Sequence, residues 1–164
     1  LATGCEVLVA SSSSKNFALY NERVGSLAII GADGAAASSI ASHARMAVRT
    51  MWSNPPAHGG AIVATILGDA TLRAQWEGEV SAMRTRIQGS RTAFAAALTA
   101  AGAGDFSYLL DHHGMFSLLG LTDDQLKRLR DEHAVYLVAR GRINMAGLSA
   151  AKIPVVAKAV AAVR

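Results

Sequence analysis

The stretch from residue 71 to about residue 101 constrains the fold more than any other part of the chain. Leu72, Trp76, Val80, Met83, Ile87, Phe94 and Leu98 recur at steps of three, four or seven, which is helical spacing. A continuous helix of roughly 30 residues spans on the order of 45 Å. That exceeds the diameter of a small domain, so the helix is expected to link two bodies. Gly78 and Gly89 each weaken it by about 1 kcal/mol relative to alanine, which leaves room for a bend. The expected organisation is therefore residues 1–70, a linking helix over 71–102, and a smaller unit over 103–164.

Before the helix, residues 7–10 and 26–30 are short, continuous apolar runs of the kind found in strands buried on both faces. Residues 35–52 carry helical spacing, with Ile40, Ala44, Ala47 and Met51 on one stripe. Pro55 and Pro56 must break that helix. A second helix over 58–67 then ends at Gly68. After Gly102 the rhythm shortens, and residues 108–110, 115–119, 135–138 and 142–145 read as strands. Thr122 and Gln125 form a capping box at the start of a helix that buries Leu126 and Leu129 and runs to about His133. A closing helix over 155–163 takes Pro154 into its first turn, so it starts near Ile153. The expected class is α/β, with a small α+β unit after the linking helix.

With 51% hydrophobic and 17% charged residues, the chain reads as globular and mostly helical. Its net charge of +4 is spread without any block of like charges, and 5% aromatic residues supply no stacking platform. No nucleic-acid partner is expected. No membrane is expected either, since no apolar stretch approaches the roughly 20 residues of a spanning helix. Cys5, the single cysteine, excludes an internal disulfide and is expected as a buried thiol in a reducing, cytoplasmic compartment. The chain opens without an initiator methionine or a signal-peptide layout, and reads as a fragment or a cleaved product. His112 and His113 lack a third ligand at metal spacing and are expected as turn residues, with no metal.

Chemistry concentrates between residues 11 and 25. Lys15 follows an apolar strand, with Ser12 and Ser14 beside it and Arg23 eight residues on. A lysine amine forms an imine with an aldehyde, and hydroxyls with a guanidinium suit a phosphate. Pyridoxal 5′-phosphate presents both groups on one molecule. Lys15 is thus a candidate Schiff-base lysine, with a solvated loop lysine as the rival reading.

The run Ser12-x-x-Lys15-Asn16-Phe17-x-Leu19-Tyr20-x-x-Arg23-Val24-Gly25 resembles the cofactor-lysine signature of class I aminotransferases, in the aspartate and aromatic amino acid subfamily. Ser53-Asn54-Pro55-Pro56, Gly114-Met115-Phe116-Ser117 and Gly141-Arg142-Ile143-Asn144-Met145 resemble three further motifs of that subfamily, in the same order. The resemblance implies the C-terminal part of a pyridoxal-phosphate-dependent transferase of fold type I: the end of the large cofactor-binding domain, the interdomain helix and the small domain. It implies transfer of an amino group between aspartate or an aromatic amino acid and 2-oxoglutarate. Lys15 then holds the cofactor and moves the proton. Ser12 and Arg23, with Ser14 less firmly matched, bind its phosphate. Arg142 clamps the substrate α-carboxylate, and Phe116 lines the cavity.

Arg49 matches the arginine that reaches the distal carboxylate in a neighbouring subunit's site, which implies a homodimer with Ser53 and Asn54 near its interface. Two positions depart from the family pattern. Ser13 stands where tyrosine is frequent, and Arg140 where a small residue is usual. The family's aspartate against the pyridinium nitrogen, its stacking aromatic and its asparagine and tyrosine contacts match nothing within residues 1–164. The resemblance therefore implies little turnover from this segment alone. The alternative is a non-catalytic piece with a structural or dimerising role.

Overall fold

Residues 5–164 are described in the computed structural model, and the chain divides into two compact units between Gly78 and Glu79. In the first, strands β1 (Val7–Ser12) and β2 (Gly25–Ile30) pair antiparallel, with Val7 opposite Ile30 and Ser12 opposite Gly25. Helix α1 (Gly34–Trp52) starts at Asp33, whose carboxylate accepts the Ala36 N–H at 2.7 Å. Helix α2 (His58–Gly68) follows the proline break. Helix α3 (Ala70–Ala100) begins at Asp69, whose carboxylate accepts the N–H groups of Thr71 and Leu72 at 2.8 and 2.9 Å. It runs through Gly78 and Gly89 as one helix.

The apolar runs at 7–10 and 26–30 do form strands, but their faces are not buried. Leu8 is 65% exposed and Leu27 53%, and among the described residues of this unit no apolar side chain is buried. A two-stranded sheet has no inner strand, and only Val7, Ile29 and Ile30 reach half-burial. The α1 stripe behaves alike, with Met51 63% exposed. Cys5, expected inside, is also exposed.

The second unit has a closed core. Phe94 and Leu98 from the C-terminal half of α3 meet Phe106, Leu109, Leu129, Met145 and Val160, all fully buried. Strands β3 (Phe116–Leu118) and β4 (Arg142–Asn144) pair antiparallel beside helices α4 (Asp123–His133) and α5 (Ile153–Val163). The Thr122–Gln125 capping box forms in full, and Pro154 lies in the first turn of α5. From α4, Arg128 donates to the Ala162 carbonyl at 3.2 Å, near the C-terminal end of α5.

Two expected strands are absent. Residues 108–110 lie in a 3-10 helix (Ser107–Asp111), because the Asp105 carboxylate accepts the Ser107 N–H at 2.8 Å and starts a turn. Residues 135–138 are irregular. Ala134 ends α4 in the left-handed region, the Val135 N–H returns to the Leu129 carbonyl at 3.0 Å, and only Val138 bridges Arg142.

Two substitutions test these local causes. Thr122→Ala removes the α4 cap and is expected to cost about 1 kcal/mol in urea unfolding, with faster amide exchange in the first turn of α4. At the buried start of α2, a Cβ on Gly59 would stand 2.9 Å from the Cβ of Glu22 and 3.1 Å from that of Val24. Gly59→Ala is therefore expected to cost about 1–3 kcal/mol and to shift the amide signals of residues 22–24.

Candidate active site

The loop over residues 13–24 joins β1 to β2 and is closed at its base. Ser13 is buried, and its N–H donates to the Val24 carbonyl at 3.0 Å, just beyond the Ser12–Gly25 pair. At this strand end the Ser12 hydroxyl donates to that of Ser14 at 3.1 Å and accepts the Ser14 N–H at 3.3 Å. Lys15 comes next. Its Nζ lies 3.4 Å from the centroid of the Tyr20 ring, a cation–π contact. Arg23, in the left-handed region at φ 53°, donates from Nη1 to the Tyr20 carbonyl at 3.0 Å. The amine and the guanidinium thus dock on one residue, by its ring and by its backbone. Three of the expected site residues, Ser14, Lys15 and Arg23, lie in this loop, and Ser12 ends the strand that leads into it.

Two anchors brace the loop. The Trp76 indole N–H donates to the Asn16 carbonyl at 2.7 Å, and its ring stacks on Phe17 with centroids 4.5 Å apart and planes at 14°. These two residues directly follow Lys15. On the other limb, a His58 ring nitrogen and a Glu22 carboxylate oxygen lie 2.9 Å apart beside Arg23. Helical spacing explained Trp76 as part of a stripe and gave no sign of its contact with the loop. The aromatic at Phe17 was the only available hint.

In the second unit, Phe116 and Leu118 alternate with buried Ser117, and Arg142 pairs with Leu118 in register. Phe116, Leu118 and Arg142 therefore share one sheet face. The Arg142 guanidinium carbon stands 5.2 Å from the Phe116 ring centroid, a diagonal cross-strand contact. An open pocket of about 450 Å³ lies here, lined by Asp111, His112, His113, Ser117 and these three side chains. The histidines follow the 3-10 helix in irregular, not turn, backbone, and they wall this pocket.

Arg142 leaves a sharp turn. Arg140 and Gly141 both take left-handed φ, 61° and 69°, and a Cβ at Gly141 would press on Leu119 and Leu121 at 3.1 Å. A left-handed arginine is uncommon.

Arg49 lies in the last turn of α1, where its carbonyl accepts the Ser53 N–H at 3.1 Å. Its side chain is exposed and makes no hydrogen bond among the described residues, and Ser53 and Asn54 are exposed as well. Arg91 was not anticipated. It is 2% exposed and donates from Nε to the Ser117 hydroxyl at 3.2 Å and from Nη2 to the Gly114 carbonyl at 2.6 Å. Burial holds its pKa below the usual arginine value. Among the described residues no helix is long and apolar enough to cross a membrane.

Comparison with known proteins places the chain. Residues 1–160 match the model for "Aminotransferase class I and II". An aspartate aminotransferase from Salmonella typhi is 49% identical over 96% of this chain and 40% of its own length. An aromatic-amino-acid aminotransferase from Pseudomonas aeruginosa is 46% identical over the same shares. The fold is that of solved aminotransferases: the aromatic-amino-acid aminotransferase from Burkholderia pseudomallei, covalently bound to pyridoxal phosphate, superposes with a TM-score of 0.89. That structure is 47% identical and covers 99% of this chain, which covers 41% of it. The chain thus spans about 40% of the length of the relatives it matches. With its lysine loop and its arginine pocket each formed, it belongs to the aminotransferase class I and II family.

Proposed function

We propose that this chain is the C-terminal part of a pyridoxal-phosphate-dependent aminotransferase acting on aspartate or an aromatic amino acid, with 2-oxoglutarate as acceptor. In this reading residues 1–70 close the cofactor-binding domain, 71–102 link the domains and 103–164 form the small domain. The observation that carries it is the end of β1 with the loop over 13–24, where the Ser12 and Ser14 hydroxyls, one primary amine and one guanidinium stand in one short closed segment. That donor set fits an aldehyde bearing a phosphate, as pyridoxal phosphate does.

When bound, the cofactor supplies an aldehyde for attachment and a ring that takes up the electron pair of the substrate α-carbon. The residues of the chain do the rest. Lys15 Nζ is the amine that would hold the cofactor and, once released, would move the proton between the substrate α-carbon and the cofactor C4′ carbon. The Ser12 and Ser14 hydroxyls donate to the phosphate, and the Arg23 fork binds its oxygens in pairs. Arg142 holds the substrate α-carboxylate in the same bidentate manner, and Phe116 flanks it. Arg49 is assigned to the distal carboxylate of a dicarboxylate substrate across a homodimer interface that includes Ser53 and Asn54.

Two assays test the reading. In the complete enzyme, Arg142→Leu is expected to raise KM for the amino donor roughly a hundredfold or more, since hydrogen bonds to a charged group contribute about 1.5–3 kcal/mol each. An unchanged KM would contradict the assignment. The 164-residue chain alone is expected to show negligible turnover in a coupled aspartate assay and to lose cofactor on gel filtration. Robust turnover from it would contradict the division of the site between this chain and the rest of the enzyme.

A further inference from the structure

We infer that Arg91 is a positioning residue for the Arg142 pocket, a buried guanidinium clamp that sets the pocket wall from behind β3. The inference rests on the reading of that pocket as a carboxylate site. Three observations lead to it.

The first is the cost of the group. Arg91 is 2% exposed, and both of its hydrogen bonds go to neutral acceptors, the Ser117 hydroxyl and the Gly114 carbonyl. No carboxylate pairs with it among the described residues. A buried cation without a counter-charge is expensive, so a core helix position would ordinarily carry an apolar residue. Something beyond packing is gained by its presence.

The second is where the fork closes. Its two acceptors bracket Met115 and Phe116, so the clamp fixes both ends of the segment that presents Phe116. Gly114, at φ 76°, is the left-handed entry to that segment. A guanidinium spans two acceptors with a fixed angle between its donors, whereas a lysine ammonium would leave the spacing unset.

The third is how the wall carries the position onward. Ser117 pairs with Ile143 and Leu118 with Arg142, while the Met145 N–H donates to the Met115 carbonyl at 2.9 Å. Because side chains alternate across the strand, buried Ser117 faces Arg91 and its neighbours Phe116 and Leu118 face the pocket. The clamp on one face thus fixes the ring and, through the register, the arginine on the other. From the same helix, Arg86 donates to the Ala146 carbonyl at 3.2 Å, just past β4. Both strands are therefore tied to α3.

The test uses the complete enzyme and 2-oxoglutarate as the probe, with affinity and the amide and Arg142 Nε–H signals followed by NMR. Arg91→Met is expected to weaken the affinity about tenfold, the scale on which small misplacements of a site act. It should also move the signals of residues 114–118 and of Arg142 before any ligand is added. Arg91→Lys should recover part of the loss, and Ser117→Ala should show a smaller one. A merely structural Arg91 would lower the melting temperature and leave affinity and signals in place. That result in Arg91→Met overturns the inference, as it does in Arg91→Lys and Ser117→Ala if Arg91→Met does not fold. Arg142→Leu separates the two layers. If it binds as the wild type does, or if the wild type does not bind, the carboxylate reading fails and the inference with it. If only Arg142→Leu loses the probe, the inference alone fails.

Discussion

The hydrogen bond from the Ser13 N–H to the Val24 carbonyl is the contact on which the lysine site depends. It continues the β1–β2 ladder by one more pair and converts twelve residues between two strands into a closed loop. Within that closure the hydroxyls of Ser12 and Ser14 meet at the strand end, and Tyr20 gathers the charges of Lys15 and Arg23. A loop of this length left open would lose such an arrangement to its own conformational entropy. Trp76 and Gly59 secure the limbs from two different helices, one by a hydrogen bond and a ring stack, the other by having no side chain to interfere.

The two units solve the problem of stability differently. In the second, Phe94, Ala95 and Leu98 of α3 share one buried core with residues of α4, α5 and the segments around β3 and β4, and the pocket face stands on that packed support. In the first, the described residues leave the sheet and the α1 stripe open to solvent. Large exposed apolar side chains such as Leu8, Met46, Met51 and Trp52 mark surfaces suited to further packing. That agrees with a chain spanning about 40% of the length of its relatives.

Helices were the most legible part of the sequence. The period of α3, the capping box of α4 and the proline in α5 are local signals, and local hydrogen bonds decide them. Short apolar runs were ambiguous for a physical reason. Residues 108–110 and 135–138 have the composition of strands, but a polar side chain at Asp105 and a left-handed Ala134 commit the backbone to turns. The lysine loop was readable because its chemistry lies in one stretch of sequence. Arg91 and Trp76 were not, since each acts on residues distant along the chain, 60 positions away for Trp76 and Asn16. Nothing in their own neighbourhood distinguishes them from other helix residues.

The central claim is that the β1–β2 loop makes Lys15 the lysine that bonds to the cofactor aldehyde. The direct measurement is borohydride reduction of the chain in excess pyridoxal phosphate, followed by peptide mass spectrometry. The account predicts the reduced adduct predominantly on the peptide containing Lys15, with Arg23→Ala lowering its yield at limiting cofactor and Lys15→Ala abolishing it. Equal labelling of Lys127, Lys152 and Lys158, or an adduct that survives in Lys15→Ala at the same yield, would contradict it.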